Sequence, residues 1–174
     1  MANHTDIAMD AAIRSLRDVV APAVAETAPH ILGQVHSVIG VLQLLKARLP
    51  HVTGRVEYEL DVYLGVAEQL AELGDADAKR TVRRERHAQT ARRSADDIEL
   101  SVEQVCAVIS EALQRLDGDA WHQAAAEVLE ASERVVEMQR AWFAPQGFST
   151  SATAHAAPSL ESILYPTKDG MRIP

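Results

Sequence analysis

Arginines followed by a histidine form the part of this sequence with the clearest chemical potential. Arg80 and His87 are seven residues apart, and Arg83 and Arg84 lie between them. On a helix this spacing places the first and last side chains on one face. Guanidinium groups bind phosphates, and imidazole transfers protons near neutral pH. The pattern predicts a histidine acting beside a bound phosphate.

The spacing of Arg80 and His87 resembles the short Arg-to-His motif of the HEPN ribonucleases, which are all-α proteins. This resemblance covers eight residues. It implies RNA cleavage at a cleft between two subunits, with Arg80 and His87 as the catalytic pair. A run of cations on a helix is also typical of a solvated face that pairs with local acids. Both interpretations stay open from the sequence.

Alanines at Ala95, Ala91 and Ala88 continue backwards the apolar register that runs from Ile98 to Leu116, next to the arginines. Small side chains let another backbone approach closely, and flanking guanidinium groups bind carboxylates. We therefore expect an acidic segment or another anionic group to bind at Arg80, Arg83, Arg84, Ala88, Ala91 and Arg92. A coenzyme A type ligand is the small-molecule alternative. The sequence contains no Gly-rich phosphate loop.

Other reactive residue types have structural explanations. No histidine has a glutamate three residues before it, as a ferritin-like metal site requires, and Asp119 before His122 is better explained as a helix cap. Cys106 lies in an apolar periodic stretch and is expected to be a core residue. The macrodipole of a helix start explains the acids Glu57, Glu59 and Asp61. We expect no metal and no cofactor.

Composition and charge restrict the class of protein. The 174 residues are 47% hydrophobic and 24% charged, which is typical of a globular chain with one sizeable core. The net charge is −8, yet residues 79–93 carry seven cations against the single acid Glu85, so this basic segment is +6 and the remainder is −14. An acidic body argues against broad nucleic-acid binding but permits one local anion site.

The N-terminus lacks the basic and apolar regions of a secretory signal, which predicts a cytoplasmic protein. The most apolar stretch, from Ile31 to Leu49, contains Gln34, His36 and Lys46. Polar side chains at that density are costly in lipid. We expect this stretch to be a core helix and not a membrane span.

Apolar spacing predicts the helices. A first short helix begins near Thr5 or Asp6 and ends at Pro22. A second helix is closed by Pro50 and is expected to sit centrally; its apolar row is Ile31, Val35, Val38, Leu42, Leu45 and Leu49. The third helix ends at Gly74 and faces inward with Val56, Leu60, Tyr63, Leu64, Ala67 and Leu70.

No glycine or proline occurs between Gly74 and Gly118, which favours one long helix over about residues 77–116. A new helix starting at Ser94, with Ser94 to Asp97 as a capping box, is the alternative. A fifth helix is expected to begin with Asp119 as N-cap and to stop at Pro145 and Gly147. It faces inward with Trp121, Ala125, Val128, Ser132, Val135 and Trp142, helped by Leu129, Val136 and Met138.

These elements predict an all-α fold, a four- or five-helix up-and-down bundle over residues 1–147. Residues 148–174 are expected to form an extended, partly disordered tail rich in Ser, Thr, Ala and Pro. Within it, residues 159–166 form a short anchor segment whose apolar members are Leu160, Ile163, Leu164 and Tyr165.

The absence of catalytic groupings favours a non-catalytic accessory or adaptor protein, which binds a protein partner or a second copy through helix faces and its tail. The HEPN-like ribonuclease is the enzymatic alternative. A bundle that holds an acyl or coenzyme type ligand is a third hypothesis, and it requires a cavity in place of a filled core.

Overall fold

The computed structural model describes residues 4–89, 91, 93–146 and 158–166. The all-α class is confirmed, since every regular element within those residues is helical. The α-helices are α1 (His4–Ser15), α2 (Ala21–Thr27), α3 (Leu32–Arg48), α4 (Val52–Glu72), α5 (Ala76–Ala88), α6 (Ala95–Arg115), α7 (Gly118–Phe143) and α8 (Leu160–Leu164). None of these helices is long and apolar enough to cross a membrane.

The described residues divide into two compact units. Unit 1 contains residues 4–51 and 142–146, and unit 2 contains residues 52–141 and 158–166. The boundary predicted between 147 and 148 falls outside the described residues.

Helix α4 supplies the centre of unit 2. It packs on both α5 and α6, and the predicted inward residues are nearly or fully buried except for Tyr63, which is half-buried. Val62 and Val66 are buried as well. Because α4 is apolar on two sides, it needs neighbours on both, and unit 2 provides them. The helix ends as predicted, with Gly74 at a φ of +98°.

The single helix predicted over about 77–116 is instead two helices, α5 and α6. Gln89, Ala91, Arg93 and Ser94 between them are not helical. Ser94 forms the capping box of α6: its hydroxyl accepts from the Asp97 backbone N–H at 3.2 Å, and the Asp97 carboxylate accepts from the Ser94 N–H at 3.2 Å. This cap provides acceptors for backbone N–H groups at the start of α6 that have no partner within the helix. The spacing of apolar residues gives no information about such a cap.

Unit 1 also departs from the predicted boundaries. Pro22 does not end the first helix; it is the second residue of α2, and a π-helical stretch (Leu16–Val20) joins α1 to α2 without a break. Pro50 likewise sits in a 3-10 turn (Leu49–His51) that leads directly into α4. Helical turns therefore follow one another from residue 29 to residue 72.

Within unit 1, helix α3 contacts each of the other described helices and turns, but its predicted core row is only partly covered. Ile39 and Leu44 of this helix are buried, whereas four of the six residues in its predicted core row are exposed: Ile31, Val38, Leu45 and Leu49. Its neighbours in unit 1 are α1, α2 and the turns that flank them and follow α7. These elements cover only part of the apolar circumference of α3.

Replacing Ser94 by Ala tests the break between α5 and α6. Loss of an N-cap costs about 1 kcal/mol of unfolding free energy, whereas the same change inside a continuous helix would gain roughly 0.5 kcal/mol. We expect Ser94→Ala to lower the urea midpoint. Ser110→Ala is the control, because Ser110 is exposed in the interior of α6, and it should leave the midpoint unchanged or raise it. A midpoint raised by both variants would contradict the break.

Candidate functional site

The basic segment lies on α5 and the connection to α6. Ala78, Thr81 and Glu85 face the interior of unit 2 and are buried, while Arg80 and Arg83 are exposed. Buried and exposed residues alternate at three- and four-residue steps, as on any amphipathic helix. Glu85 is the inward member of this set that carries a charge, and counting charges along the chain does not show that it is buried.

Glu85 is the acid around which the segment is organised. Its side chain is only 4% exposed, and its two carboxylate oxygens accept from Arg84 Nε at 2.9 Å and from an Arg93 guanidinium nitrogen at 3.0 Å. Burial alone would raise the pKa of Glu85, but hydrogen bonds from Ser101, Arg93 and Arg84 outweigh burial and lower it. The carboxylate is therefore ionised and fully engaged at neutral pH.

Arg93 closes the junction between the two helices. Besides Glu85 at the end of α5, its guanidinium contacts the Ser101 hydroxyl and donates to the Asp97 backbone carbonyl at 2.8 Å in α6. The fork geometry of guanidinium allows these bonds at once. Arg93 thus ties the two helices together at the point where the chain leaves helical geometry.

Arg86 connects α5 to α4. Its guanidinium donates to Glu68 and to Asp61, each at 2.9 Å. The hydrogen bond to Glu68 raises the pKa of Arg86, against the lowering by burial. Asp61, a member of the predicted acidic cluster, therefore serves as an intramolecular partner for a cation.

Arg80 and His87 lie on the same side of α5, two turns and about 10 Å apart along the axis. The Arg80 guanidinium donates to Asp77 on its own helix, and the Arg80 side chain is 74% exposed. Within the described residues, Arg83 has no ion-pair partner. The ribonuclease hypothesis for this pair stays a prediction.

The alanine row does not form one continuous surface. Ala88 is half-buried at the end of α5, Ala91 is exposed in the connection, and Arg92 lies outside the described residues. An open groove of about 400 Å³ lies between α5 and α6 and is lined by Asp77, Arg80, Thr81, Arg84, Val108 and Glu111. Two cations face two carboxylates there, so the groove has no strong preference for anions.

The tail segment forms α8 and lies on α4 of its own chain. Leu160 and Leu164 are buried, Ile163 is half-buried and Tyr165 is 52% exposed. The Tyr165 hydroxyl packs against Gly54, where an added Cβ would lie 2.5 Å away. A side chain at position 54 would require the end of the Tyr165 side chain to shift. Ser159 caps the short helix by accepting from the Ser162 N–H at 3.2 Å.

Helix α7 exposes several apolar side chains that the spacing along the sequence predicts to face the core. Val135 and Met138 are buried as predicted, but Trp121, Leu129 and Val136 are 44%, 67% and 41% exposed. They form one stripe with two half-buried small residues between them. We define the α7 row as Trp121, Ala125, Leu129, Ser132 and Val136.

Glutamates border the α7 row on one side. Glu130, Glu133 and Glu137 are exposed; at about 100° per residue, Glu133 lies about 40° around the helix from Leu129, with Glu137 and Glu130 further from the row and the exposed Arg140 on the same side. Among the described residues, none of these three carboxylates has an ion-pair partner. We call these three residues the acidic edge.

Reactive groups elsewhere in the described chain offer little chemistry. Burial, with the charge of Glu59, raises the pKa of the half-buried Cys106 thiol, which keeps it protonated and poorly nucleophilic at neutral pH. Within the described residues, no group of three His, Cys, Asp or Glu side chains could hold a metal ion.

Comparison with known proteins gives no match to a family model, a curated protein or a solved structure.

Replacing Glu85 by Gln should destabilise the protein by about 2–3 kcal/mol, because it leaves Arg93 partly buried without its anion. Since the pKa of Glu85 is lower in the folded than in the unfolded chain, its ionisation stabilises the fold above the usual glutamate pKa of about 4.3, and this contribution is lost as the pH falls through the lowered value. The loss of unfolding free energy in Glu85→Gln, relative to the unmodified protein, should be complete at pH 7 and smaller at acidic pH.

Denaturant titrations of both proteins at several pH values measure that difference. Glu111→Gln is the matched control, because Glu111 is 66% exposed and lies 3.9 Å from Arg115; its effect should stay within about 0.5 kcal/mol. Equal, pH-independent losses in the two variants would disprove the role of Glu85.

Proposed function

We propose that this protein is a non-catalytic helical adaptor that binds an amphipathic helix of a partner protein along α7. The observation that carries the proposal is the exposed α7 row beside an acidic edge without intramolecular partners. Contiguous apolar surface bordered by charge is typical of protein-binding sites. The α7 row extends over about 22 Å, which is the length of four helical turns.

The α7 row and the acidic edge contribute different amounts of binding free energy. Full burial of a large apolar side chain contributes about 1.5–3 kcal/mol, so covering three side chains that are about half exposed contributes on the order of 3 kcal/mol. Exposed ion pairs contribute about 0.2–1 kcal/mol each. The α7 row therefore supplies most of the affinity. The acidic edge selects the partner and its orientation.

The chemistry of the partner follows from this arrangement. Its apolar face must match the α7 row, and the side of its helix that lies along the acidic edge must carry Lys or Arg. An acidic partner would place like charges opposite each other and would be rejected. We therefore propose a basic amphipathic helix as the ligand, in place of the acidic segment expected from the arginines of α5.

The basic segment supports this choice, since most of its arginines already have partners. Arg84 and Arg93 both bind Glu85, Arg86 binds Asp61 and Glu68, and Arg80 binds Asp77. A ligand-holding bundle needs an enclosed cavity, whereas the groove between α5 and α6 is open to solvent. The adaptor hypothesis rests on α7, which has both free apolar surface and free charge.

Two synthetic amphipathic helices, one with lysines and one with glutamates along the edge of its leucine face, test the proposal by fluorescence anisotropy. The full chain should prefer the lysine peptide. Leu129→Asp should weaken that binding about tenfold or more, whereas Leu100→Asp, at a 54% exposed leucine of α6, should not.

Reversing Glu130, Glu133 and Glu137 to Lys should exchange the preference between the two peptides. Equal binding of both peptides by the unmodified chain, or unchanged binding by Leu129→Asp, would refute the proposal.

A further inference from the structure

Unit 1 contains an open groove of about 370 Å³ between α3 and the helical stretch that begins with α1. Both α1 and the π-helical stretch after it pack on α3. One wall of the groove carries Asp10, Ile13, Arg14 and Arg17, and the wall on α3 carries Gln43 and Lys46. We call it the α1–α3 groove.

The α1–α3 groove has an excess of positive charge. Three cations and one carboxylate line it, which gives a local charge of +2 in a chain whose net charge is −8. Lys46 and Asp10 bind each other, with Nζ 2.6 Å from the carboxylate. Arg14 and Arg17 are exposed, and neither has an ion-pair partner among the described residues. This groove therefore attracts anions, unlike the groove between α5 and α6, where cations and carboxylates are equal in number.

The backbone that carries Arg17 is of an uncommon kind. Arg17 is the second residue of the π-helical stretch Leu16–Val20, after which the Ala21 N–H donates to the Leu16 carbonyl, five residues earlier. Such turns are rare, and they occur frequently at functional sites. Within the described residues, the π-helical backbone thus coincides with one of the two arginines that lack an anion in this groove.

We infer that the α1–α3 groove binds the phosphate group of a small phosphomonoester through Arg14 and Arg17. A guanidinium group can donate two parallel hydrogen bonds to phosphate oxygens. A phosphomonoester carries a charge of about −1.5 to −2 near pH 7, which matches the charge of the groove. Because the two arginines are only three residues apart and line one groove, a compact anion that has both charges on one group satisfies them better than a dicarboxylate does.

The rest of the groove fits the organic part of such a ligand. Ile13 is 6% exposed and provides an apolar contact at the base of the wall formed by α1. Gln43 on α3 is exposed, and its amide can donate to or accept from a hydroxyl group. Lys46 has three donors and uses one on Asp10, so it can also bind a phosphate oxygen. A volume of about 370 Å³ is within the range of small-molecule sites.

This site is independent of the proposed function, because the α7 row belongs to unit 2 and the α1–α3 groove belongs to unit 1. Peptide binding and phosphate binding are measured separately, so either can fail alone.

Isothermal titration calorimetry of the full chain with phenyl phosphate, inorganic phosphate and succinate tests the ligand class. Phenyl phosphate should bind most tightly, because it has both a phosphate group and an apolar part. Inorganic phosphate binding as tightly as phenyl phosphate would contradict an ester as the ligand, and succinate binding as tightly would contradict phosphate. No heat of binding with phenyl phosphate would overturn the inference.

Three charge substitutions locate the site. Arg17→Gln should weaken phenyl phosphate binding about tenfold or more, whereas Arg134→Gln, at an exposed arginine of α7, should leave the affinity unchanged. Asp10→Asn removes the carboxylate of the groove and should strengthen binding several-fold, a gain that a merely structural role of Asp10 would not produce.

Urea midpoints of these three variants close to that of the unmodified chain would show that the fold is intact. An affinity that Arg17→Gln and Arg134→Gln lower equally, or that Asp10→Asn fails to raise, would overturn the site. Loss of binding in Arg83→Gln with none in Arg17→Gln would place the phosphate on α5 and also contradict it.

Discussion

A helix with apolar side chains on more than one side must have neighbours on each of those sides, and this constraint governs the whole chain. Helix α4 meets it, since α5 and α6 pack against it and Val56, Leu60 and Leu64 are almost completely buried. Helices α3 and α7 do not meet it within their own units. The uncovered row of α7 is the physical basis for the proposal that this protein binds another polypeptide.

Electrostatics has a mainly structural role in this fold. The basic segment resembles an anion site when its charges are counted along the chain, but in three dimensions Glu85, Asp61 and Glu68 take up most of its arginines. Glu85 is the important member because it is buried, and an unpaired buried charge costs far more than an exposed pair contributes. Its arginines hold the junction between α5 and α6, where no apolar row continues.

Periodicity along the chain predicts the helical class, the inward face of α4 and the glycine that ends it. It cannot predict which of two apolar faces finds a neighbour, because that depends on how many helices surround each one. This is why α3 and α7 expose side chains that the pattern assigns to the core. The separation of α5 from α6 has a local signal in the sequence, the capping box of Ser94 and Asp97. A continuous helix would bury only alanines across this region, and these small side chains would contribute little packing energy in its favour.

The arrangement around Glu85 also had a signal in the sequence, namely a lone acid within a run of cations. In the net charge of the segment, one acid changes the total by only one unit. Because Glu85 is buried, however, the arginines around it are organised by their ion pairs with it. The alanines at 88 and 91 have no comparable role. Their apparent continuity depends on a helix that ends at Ala88.

The central claim is that another polypeptide covers the α7 row, and native mass spectrometry of the full chain isolated from its own host tests it most directly. The chain mass is 19.0 kDa. We expect a species that contains the chain together with a second polypeptide in fixed stoichiometry. A single 19.0 kDa chain that carries no other protein, with or without a bound small molecule, would contradict this account.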